Sequence, residues 1–442
     1  MEWNKLLTPY RLGYSKQNHN PNRNEFQKDF DRIIFSTYFR RLNGKTQVFP
    51  FPETDIIHTR LTHSLEAASV GRSLGTIVGN ELHKKNDNIQ GWELGAICSV
   101  ACLAHDIGNP PFGHSGEDAI AEYYDSQRGK EIIEMLTKKQ QEDFLKLEGN
   151  AMGFHILTHS NEKKTQQTGG YGLTYPSLAA FIKYPRPSLI RKQNKILSSE
   201  KKPGLFQCDL KNYKKITDGL KIPQKEEGDR WYRYPLAFLT EAADDICYTI
   251  MDLEDGFNHG LVSYNQTYNW LMEICNTKSG DTSTNSLNII NNKKETIGYL
   301  RAKAINSLVN QISKVFLENE DKILNCKFDS NLTDLIESSY LLKEIIELSI
   351  NKIYTHKPVI QIEAAGFKVL PGLLDTFLYA LKYKEKASSK MVLKLIPEEY
   401  KFDFYTESYK AIMSITSYVA GMTDTFAVDT YRNLRGIELP NY

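Results

Sequence analysis

A histidine and an aspartate stand side by side at the end of an apolar segment, as His105 and Asp106. Charged side chains are seldom fully buried unless they pair with another charge or bind a metal ion. The turn sequence Gly108–Pro111 follows directly, and its two prolines would end a helix there and hold both side chains in place. Because many His-Asp dipeptides only end a helix, this pair indicates a metal site only if further ligands come from elsewhere in the chain.

Two other segments offer such ligands. Arg60 and His63 are three residues apart, so on a helix they share one face. Asp244, Tyr248 and Asp252 follow one another at steps of four residues and form a polar stripe beside an apolar one. By itself the histidine would be an ordinary core or surface residue, and the stripe would be a solvated helix face. Their occurrence together with the His-Asp pair favours a shared metal site with a phosphate-binding arginine beside it.

The predicted ligand set contains two imidazoles and two carboxylates, from His63, His105, Asp106 and Asp244. Mixed nitrogen and oxygen ligands of this kind suit Mn, Fe, Zn or Mg, and the spacing does not distinguish among these metals. The set leaves coordination positions open for water and substrate. A divalent ion in such a site lowers the pKa of bound water and produces a nucleophile at neutral pH. The ligand set therefore favours metal-assisted hydrolysis of a phosphate ester.

The elements that would position these residues are all helices. Apolar residues recur at helical spacing, and no run alternates as strands do, apart from a short hairpin that Thr46–Phe51 could form. We therefore predict an all-α fold. Thr59 is a suitable N-cap for the helix that carries His63, and Ser115–Asp118 resembles a capping box that would start another helix. The helix that carries His63 is predicted over Arg60–Leu82. Further helices are predicted over Leu94–Asp106, Leu239–Asp255, Gly298–Leu317, Leu335–Lys352, Val369–Leu381 and Glu407–Phe426.

Composition excludes several classes of protein. Of the 442 residues, 40% are hydrophobic and 25% charged, which excludes a disordered or collagen-like chain. Lys and Arg total 55 against 54 for Asp and Glu, so no net charge attracts nucleic acid or a membrane surface. The N-terminus lacks a signal-peptide pattern, and the longest nearly apolar run, Leu94–Ala104, is far shorter than the ~20 residues of a membrane span. Since the six cysteines also form no CxxC pair, we predict a cytoplasmic protein without membrane association.

Three polar stretches interrupt the helical pattern. Arg191–Glu227 is rich in Lys, Gln, Gly and Pro, Asn276–Glu295 is rich in Asn, Thr and Ser, and Lys382–Lys390 is short and charged. Such compositions bury little apolar surface, so we predict surface loops or poorly ordered segments. The lysines of the first stretch could contact a nucleic-acid backbone, but a solvated loop is the simpler interpretation.

Several sequence blocks together resemble the HD-domain superfamily of metal-dependent phosphohydrolases and, within it, the deoxyguanosine triphosphate triphosphohydrolase (dGTPase) family. The blocks run in the family's order from about residue 20 to the C-terminus, so the resemblance covers nearly the whole chain. The block that ends at His114, joined to the Gly-Met-Thr-Asp block near the C-terminus, is far more specific than the His-Asp pair alone. The blocks are Arg40–Leu42, Lys45–Pro50, Thr59–Glu66, His105–His114, Glu148–Ala151, Lys183–Pro185, Glu241–Asp245 and Ala420–Asp424.

The resemblance implies hydrolysis of a deoxynucleoside triphosphate to a deoxynucleoside and inorganic triphosphate, with dGTP as the first candidate substrate. The four residues of the predicted ligand set match the family's metal ligands, and the implied cofactor is Mn or Mg, with Fe or Zn as alternatives. His114 and Glu117 match its catalytic pair beside the α-phosphorus. The histidine would protonate the leaving 5′-oxygen while metal-activated water attacks phosphorus. The opposite role, as a base, stays open.

A triphosphate carries several negative charges, so cationic side chains must contact it. Arg60 is the first candidate because it shares a helix face with His63. The resemblance adds Lys183 and Tyr184, which match a pair that contacts phosphate in the family. Considered alone, the lysine would be an ordinary surface residue.

The resemblance also implies a sugar-binding wall. Tyr248 and Asp252 match residues that hold the deoxyribose, with the tyrosine ring packed where a 2′-hydroxyl would lie. Gln47 matches a residue near the 3′-hydroxyl, although by itself it would be a polar turn residue. An apolar pocket rejects an added hydroxyl only weakly, so close steric contact must separate deoxynucleotides from ribonucleotides.

The resemblance further implies one dGTPase-like unit over 1–442, with a metal-site core at about 55–260 and a C-terminal helical region at about 296–442. Family members usually assemble as dimers or larger rings, often hexamers, so we expect a homo-oligomer. A dNTP or single-stranded DNA is a candidate activator. Two alternatives stay open: an HD-fold nucleotidase or phosphodiesterase that acts on another nucleotide, and a non-catalytic sensor of dNTPs or single-stranded DNA.

Overall fold

The structure, a computed structural model, describes residues 1–14, 23–49, 58–159, 169–190, 197–226, 228–277 and 292–437. Within these ranges every regular element is a helix, and extended residues meet only in isolated β-bridges. The all-α prediction is therefore confirmed. The first ten α-helices are α1 (Trp3–Leu6), α2 (Glu25–Ile34), α3 (Thr37–Arg41), α4 (Arg60–His83), α5 (Gly91–Ala104), α6 (Gly113–Asp125), α7 (Gln127–Ile133), α8 (Lys138–Leu145), α9 (Gly149–Thr158) and α10 (Tyr175–Phe181).

The second half of the chain continues as helices of varied length. A π-helical segment at Ser349–Ile353 extends one of them. The α-helices are α11 (Leu210–Leu220), α12 (Pro235–Asn258), α13 (Tyr264–Cys275), α14 (Lys293–Glu318), α15 (Glu320–Leu324), α16 (Ser339–Leu348), α17 (Lys357–Lys382), α18 (Ala387–Leu393), α19 (Ser408–Ala420) and α20 (Asp424–Arg435).

Helices α4 and α5 lie so close together that their backbones almost touch at two glycines of α4. A Cβ atom at Gly75 would lie 2.6 Å from the carbonyl oxygen of Leu94, and one at Gly79 would lie 2.6 Å from the Cα atom of Gly91. Glycines four residues apart fall on one face of a helix, which gives α4 a smooth surface for α5. Because the end of α4 meets the start of α5, the helices run antiparallel, and the start of α4 comes to lie beside the end of α5.

Gly75→Ala is expected to lower the free energy of unfolding by roughly 1–3 kcal/mol, because the new methyl group would overlap the backbone of α5. The matched control is Gly298→Ala, where a Cβ atom would meet no described atom within 4 Å. Since alanine is the better helix former, the control is expected to raise that free energy by about 0.5–1 kcal/mol. Urea unfolding measures both variants, and an unchanged midpoint for Gly75→Ala would contradict the close packing.

Helix α12 packs against α4, α5, α10 and α14. It is longer than the predicted helix Leu239–Asp255, and Pro235 at its first position suits a helix start because the missing N–H has no partner to lose there. Its apolar face, which includes Ile246, Ile250 and Leu253, is buried as expected. The polar stripe of Asp244, Tyr248 and Asp252 therefore lies on a different face of the helix from this apolar face.

Helix α17 packs against α6, α18, α19 and α20. In the described part of the chain it is the one helix long and apolar enough to cross a membrane by length and composition, yet 56% of its most apolar window is buried inside the protein. The core helix of a soluble protein passes the same test, and the contacts of α17 with four neighbours agree with that interpretation. It includes the predicted helix Val369–Leu381 and starts twelve residues earlier.

Three sequence-based expectations are wrong. The predicted helix Glu407–Phe426 is broken after Ala420, since Thr423 caps a separate helix by accepting a hydrogen bond from the N–H of Phe426. The predicted capping box at Ser115–Asp118 does not form, because α6 already begins at Gly113 and has no side-chain cap. The loop predicted for Arg191–Glu227 contains α11, whose Tyr213, Ile216 and Leu220 are buried at helical spacing.

Of the other predicted irregular segments, one is shorter than expected and two extend beyond the described residues. Within Asn276–Glu295, residues 278–291 lie outside them, and α14 begins at Lys293. The charged break at Lys382–Lys390 is shorter than predicted, because α18 starts at Ala387. The hairpin proposed for Thr46–Phe51 has its last two residues outside the described ranges, and Thr46 pairs instead with Thr59 in an isolated bridge.

Candidate active site

A cleft of about 470 Å³ lies where the start of α4, the turn after α5, the start of α6 and the polar stripe of α12 meet. All of the predicted metal ligands and substrate-binding residues line it, together with the predicted catalytic histidine. These residues are Gln47, Arg60, His63, His105, Asp106, His114, Lys183, Tyr184, Asp244, Tyr248 and Asp252. Glu117, the remaining predicted site residue, is buried and reaches the cleft through His114.

Three of the four predicted metal ligands converge. Asp244 Oδ1 lies 3.1 Å from His63 Nε2 and 3.2 Å from His105 Nε2, and one ligand atom from each residue lies within 4.8 Å of the others. His105 Nδ1 lies 2.6 Å from the carbonyl oxygen of Cys102. Since a carbonyl can only accept a hydrogen bond, Nδ1 carries the proton, and the lone pair of Nε2 is available to a metal ion.

The fourth predicted ligand, Asp106, lies at the edge of this cluster. Its Oδ2 accepts a hydrogen bond of 2.9 Å from Arg60 Nη1, while Oδ1 accepts one from Asn109 Nδ2 and lies 3.4 Å from His105 Nε2. Asp106 is therefore adjacent to the three converging residues, but it is not among the residues whose ligand atoms all lie within 4.8 Å of one another. Two imidazole nitrogens with carboxylate oxygens form a donor set that fits a divalent ion such as Mn²⁺, Fe²⁺, Zn²⁺ or Mg²⁺.

Charges in the cleft compensate one another. Burial lowers the pKa of His105, but Asp106 and Asp244 outweigh this effect and raise it to about 9. Burial raises the pKa of Asp106, but Arg60 and His105 outweigh burial and bring it to about 2. Burial also opposes ionisation of Asp244, yet Lys183, whose Nζ lies 2.6 Å from Oδ2, and His105 hold its pKa well below the usual value. Since a metal ion competes with protons for imidazole nitrogen, the metal affinity of this cluster should rise with pH.

His114 and Glu117 form a hydrogen-bonded pair at the cleft. Glu117 Oε2 lies 2.9 Å from His114 Nδ1, and Glu117 Oε1 accepts a hydrogen bond of 2.8 Å from the N–H of Gly149 at the start of α9. The carboxylate is buried and fixed, whereas the His114 side chain is 77% exposed. The hydrogen bond to Glu117 and its charge raise the pKa of His114. Because Nδ1 is engaged, Nε2 is the atom that can exchange a proton with a ligand.

The backbone just before His114 has an unusual conformation. Phe112 has a φ of 66°, a left-handed value that is rare for a bulky residue, and Gly113 has a φ of 60°. A Cβ atom at Gly113 would lie 2.7 Å from Arg60 Nη2, so only glycine lets the arginine approach the loop. Asp424 accepts hydrogen bonds from the N–H groups of Phe112, at 3.2 Å, and Thr46, at 2.8 Å. Asp424 of the C-terminal Gly-Met-Thr-Asp block therefore holds the loop before His114 in place.

The part of the cleft around Asp252 contains buried polar groups. Asp252 Oδ2 accepts a hydrogen bond of 2.5 Å from the hydroxyl of Tyr354, and burial raises the pKa of Asp252 to about 7. Gln47 Oε1 is buried, and no described group donates to it, so it is an acceptor available to a ligand. Tyr248 lines the same part of the cleft between the metal cluster and Asp252 along α12.

Sequence reasoning missed several residues of the cleft, among them Tyr354 and Lys202. Tyr354 is 102 residues away from its partner Asp252 and belongs to no motif, so no spacing rule could have indicated it. Lys202 lines the cleft with its Nζ 3.3 Å from Glu148 Oε1, although it lies in a stretch predicted to be a solvated loop. Glu148, to which no role was assigned, caps α9 by accepting a hydrogen bond of 2.6 Å from the N–H of Asn150.

Comparison with known proteins identifies the family to which the chain belongs. The family model of the HD domain matches residues 60–193. A deoxyguanosinetriphosphate triphosphohydrolase-like protein of Synechocystis sp. is 41% identical over 99% of this chain and 100% of its own length. A relative of the same name from Pseudomonas aeruginosa is 36% identical over the whole of both chains. The deoxyguanosinetriphosphate triphosphohydrolase of Enterobacter sp. is 29% identical over 93% of this chain and 94% of its own. The chain therefore belongs to the deoxyguanosinetriphosphate triphosphohydrolase-like family and carries an HD domain.

Proposed function

We propose that the protein is a divalent-metal-dependent hydrolase that converts a deoxynucleoside triphosphate, with dGTP as the first candidate, into a deoxynucleoside and inorganic triphosphate. The observation that carries this proposal is the presence, in one cleft, of the His63–His105–Asp244 cluster and the His114–Glu117 pair. Metal-assisted hydrolysis needs a ligand cluster for the metal and a proton donor for the leaving group. The substrate class follows the names of the relatives.

The residues that would hold the metal are His63, His105, Asp106 and Asp244, and we propose Mn²⁺ or Mg²⁺, with Fe²⁺ or Zn²⁺ as alternatives. When bound, the ion supplies an activated water at neutral pH for attack on the α-phosphorus. The chain prepares the ligands for this task. Arg60 orients Asp106, Lys183 keeps Asp244 ionised, and a backbone carbonyl fixes the tautomer of His105.

His114 is proposed to protonate the 5′-oxygen as the bond to the α-phosphorus breaks. Glu117 binds its Nδ1 and stabilises the charged imidazole, so the ring can offer a proton from Nε2. Since Glu117 is itself held by the N–H of Gly149, the pair keeps its orientation without contact from the substrate. Protonation by His114 lets the deoxynucleoside leave as an alcohol rather than as an alkoxide.

Arg60, Lys183 and Tyr184 are proposed to contact the triphosphate. Arg60 Nε is buried and no described group accepts its hydrogen bond, which leaves a donor for a phosphate oxygen. Lys183 Nζ already pairs with Asp244 Oδ2 at 2.6 Å. A phosphate oxygen would therefore share this ammonium group with the carboxylate, which is within the capacity of its three N–H donors.

Glu117→Gln is expected to move the alkaline limb of the kcat–pH profile to lower pH. The charge of Glu117 raises the pKa of His114, and a general acid acts only while it is protonated. Without that charge the pKa falls, so activity is lost at a lower pH. Asp118→Asn, an exposed position on the same helix, is the control and should leave the profile unchanged. A shift of the acidic limb instead would show that His114 acts as the base.

Tyr248→Ala is expected to reduce the preference for dGTP over GTP, measured as the ratio of kcat/KM values, by about 10-fold or more. The phenol ring lines the cleft beside Asp252, where we propose that it occupies the space of a 2′-hydroxyl. Removal of the ring would open that space. Tyr340→Ala, a 52% exposed tyrosine outside the cleft, is the control. An unchanged ratio for Tyr248→Ala would place sugar selection elsewhere.

Product analysis tests the proposed reaction. The purified protein is incubated with each of the four dNTPs and with GTP, with Mn²⁺ or Mg²⁺, with a chelator, and then with dNTP mixtures that can supply an activator. We expect deoxynucleoside and intact triphosphate, and no product in chelator. Release of orthophosphate would favour the alternative of an HD-fold nucleotidase. Binding of dNTPs without turnover in every mixture would favour a sensor.

Domain organisation, cellular location and assembly complete the proposed function. We propose one dGTPase-like unit over 1–442, with a core at about 55–260 and a C-terminal region at about 296–442. We also propose a cytoplasmic homo-oligomer, built from dimers up to a hexamer, with a dNTP or single-stranded DNA as activator. Light scattering with and without added nucleotide measures the mass of the assembly. A monomer under all conditions would contradict the proposed homo-oligomer.

A further inference from the structure

A second group of metal-ligand side chains lies outside the cleft. It consists of His155 of α9, His159 at its C-terminal end, and Cys208 and Asp209 immediately before α11, and is called the second cluster below. One ligand atom from each residue lies within 4.8 Å of the others. None of the four residues lines the cleft, so the proposed hydrolysis does not use them.

The distances within the second cluster match those around a tetrahedral zinc ion. Asp209 Oδ1 lies 3.2 Å from His155 Nδ1 and 2.9 Å from His159 Nδ1. Cys208 Sγ lies 3.6 Å from His155 Nδ1. Zinc bonds are about 2.0–2.1 Å long to nitrogen or oxygen and about 2.3 Å long to sulfur. In a tetrahedral site, two nitrogen or oxygen ligands are therefore about 3.3 Å apart, and a nitrogen and a sulfur ligand are about 3.6 Å apart.

The same arrangement occurs in the cleft. There, Asp244 Oδ1 lies 3.1 Å and 3.2 Å from two imidazole nitrogens, as Asp209 Oδ1 does in the second cluster at 3.2 Å and 2.9 Å. The second cluster differs by its thiol, which adds a soft ligand. Thiolate and imidazole together favour Zn²⁺ over Mn²⁺ or Mg²⁺, which prefer oxygen ligands.

An independent observation indicates that Asp209 needs a cation. Its side chain is fully buried, at 0% exposure, and no described group donates a hydrogen bond to its Oδ2. A buried carboxylate oxygen without a donor is costly, and contact of the carboxylate with a metal ion would remove that cost.

The second cluster joins three parts of the fold. His155 lies in α9 and His159 directly follows it, and the first N–H of this helix binds Glu117. Cys208 precedes α11, and its Sγ lies 3.7 Å from the hydroxyl of Tyr409 on α19. Four protein ligands leave no open position, which is typical of structural rather than catalytic zinc. An ion here would therefore fix α9, and with it the carboxylate that orients His114.

We propose that His155, His159, Cys208 and Asp209 bind a structural Zn²⁺ ion, separate from the metal centre of the cleft. On binding, the zinc–sulfur bond forms as the thiol of Cys208 releases its proton to solvent, and the two imidazoles bind through Nδ1. No change of redox state is involved.

Cobalt substitution distinguishes this site from the cleft, because a sulfur-to-cobalt charge-transfer band requires a thiolate ligand and the proposed ligands of the cleft include none. The full-length protein is stripped with a chelator and reloaded with Co²⁺. We expect the band in the wild-type protein, its loss on addition of one equivalent of Zn²⁺, and its absence in Cys208→Ser. The matched control is Cys326→Ser, another partly exposed free cysteine, which should retain the band. A wild-type protein without the band, or a Cys208→Ser protein that keeps it, would overturn the proposal.

A measurement on the wild-type protein alone covers the case in which Cys208→Ser does not fold. X-ray absorption at the zinc edge is recorded on protein loaded with one equivalent of Zn²⁺. We expect one sulfur neighbour together with nitrogen and oxygen neighbours. A spectrum with nitrogen and oxygen neighbours only would place the zinc in the cleft and overturn the proposal. Alkylation of Cys208 provides a further readout, since the proposal expects protection by Zn²⁺ and loss of protection in chelator.

Discussion

His105→Ala is expected to lower kcat/KM for dGTP by roughly 10³-fold or more. A catalytic metal ion typically contributes several kcal/mol to stabilisation of the transition state, and each 1.36 kcal/mol corresponds to a factor of ten. His105 belongs to the cluster, with Nε2 3.2 Å from Asp244 Oδ1 and Nδ1 fixed by the carbonyl of Cys102. Alanine removes the ligand atom while leaving most of the cleft in place.

The variant is compared with His83→Ala under saturating Mn²⁺. His83 is also a histidine hydrogen-bonded to a carbonyl, through Nδ1 to Ile89 O at 2.8 Å, but it lies at the far end of α4 and does not line the cleft. We expect the control to retain activity, and His105→Ala to bind less metal by elemental analysis while its circular dichroism spectrum stays helical. Unchanged turnover in His105→Ala would remove this residue from the metal centre.

His114→Asn is expected to lower kcat by about 10²–10⁴-fold, the range that a general acid or base contributes. The substitution removes the titrating imidazole but leaves a side chain of similar reach near Glu117. Because His114 is 77% exposed, we expect no change in the unfolding temperature. Metal binding should also persist, since the ligand cluster does not include this residue.

Single-turnover kinetics and a nucleotide-binding titration measure the two effects separately. Asp118→Asn, exposed on the same helix, is the control and should behave as the wild-type protein. We expect His114→Asn to bind dGTP with nearly unchanged affinity and to show a slow chemical step. If affinity fell in parallel and the chemical step kept its rate, His114 would be a binding residue and another group would supply the proton.

The sequence predicts the helices well where an apolar stripe persists. Arg60–Leu82 and Gly298–Leu317 were each placed within a few residues of α4 and α14, because their buried faces repeat at helical spacing. Thr59 caps α4 as expected, and Thr62 returns the hydrogen bond to complete a capping box. Prediction failed where a tertiary contact decided the local structure.

The start of α6 shows such a failure. Ser115 and Asp118 have the spacing of a capping box, but α6 already begins at Gly113. Glu117, which lies between them in the sequence, binds His114 and the N–H of Gly149. Phe112 can hold its left-handed conformation there because Asp424 accepts its N–H. Asp424 is 312 residues away in the chain, so no local rule could have predicted this arrangement.

The candidate site could be predicted in part. The spacing of Arg60 and His63, together with the adjacent His105 and Asp106, correctly indicated residues that meet in space. The roles of these residues stay proposals. The second cluster was missed because Cys208 lies in a polar stretch interpreted as a loop, and only the folded chain brings it to the two histidines.

Hydrolysis of dGTP in ¹⁸O-labelled water tests the central proposal most directly. Attack of water on the α-phosphorus breaks the bond between phosphorus and the 5′-oxygen, so the label must enter the triphosphate. With Mn²⁺ or Mg²⁺ present, we predict deoxyguanosine without label and one labelled oxygen in intact triphosphate, by mass spectrometry of single-turnover products. Labelled deoxyguanosine would show attack on carbon, and release of pyrophosphate or orthophosphate would show cleavage of a different bond. Either result would contradict the proposed mechanism.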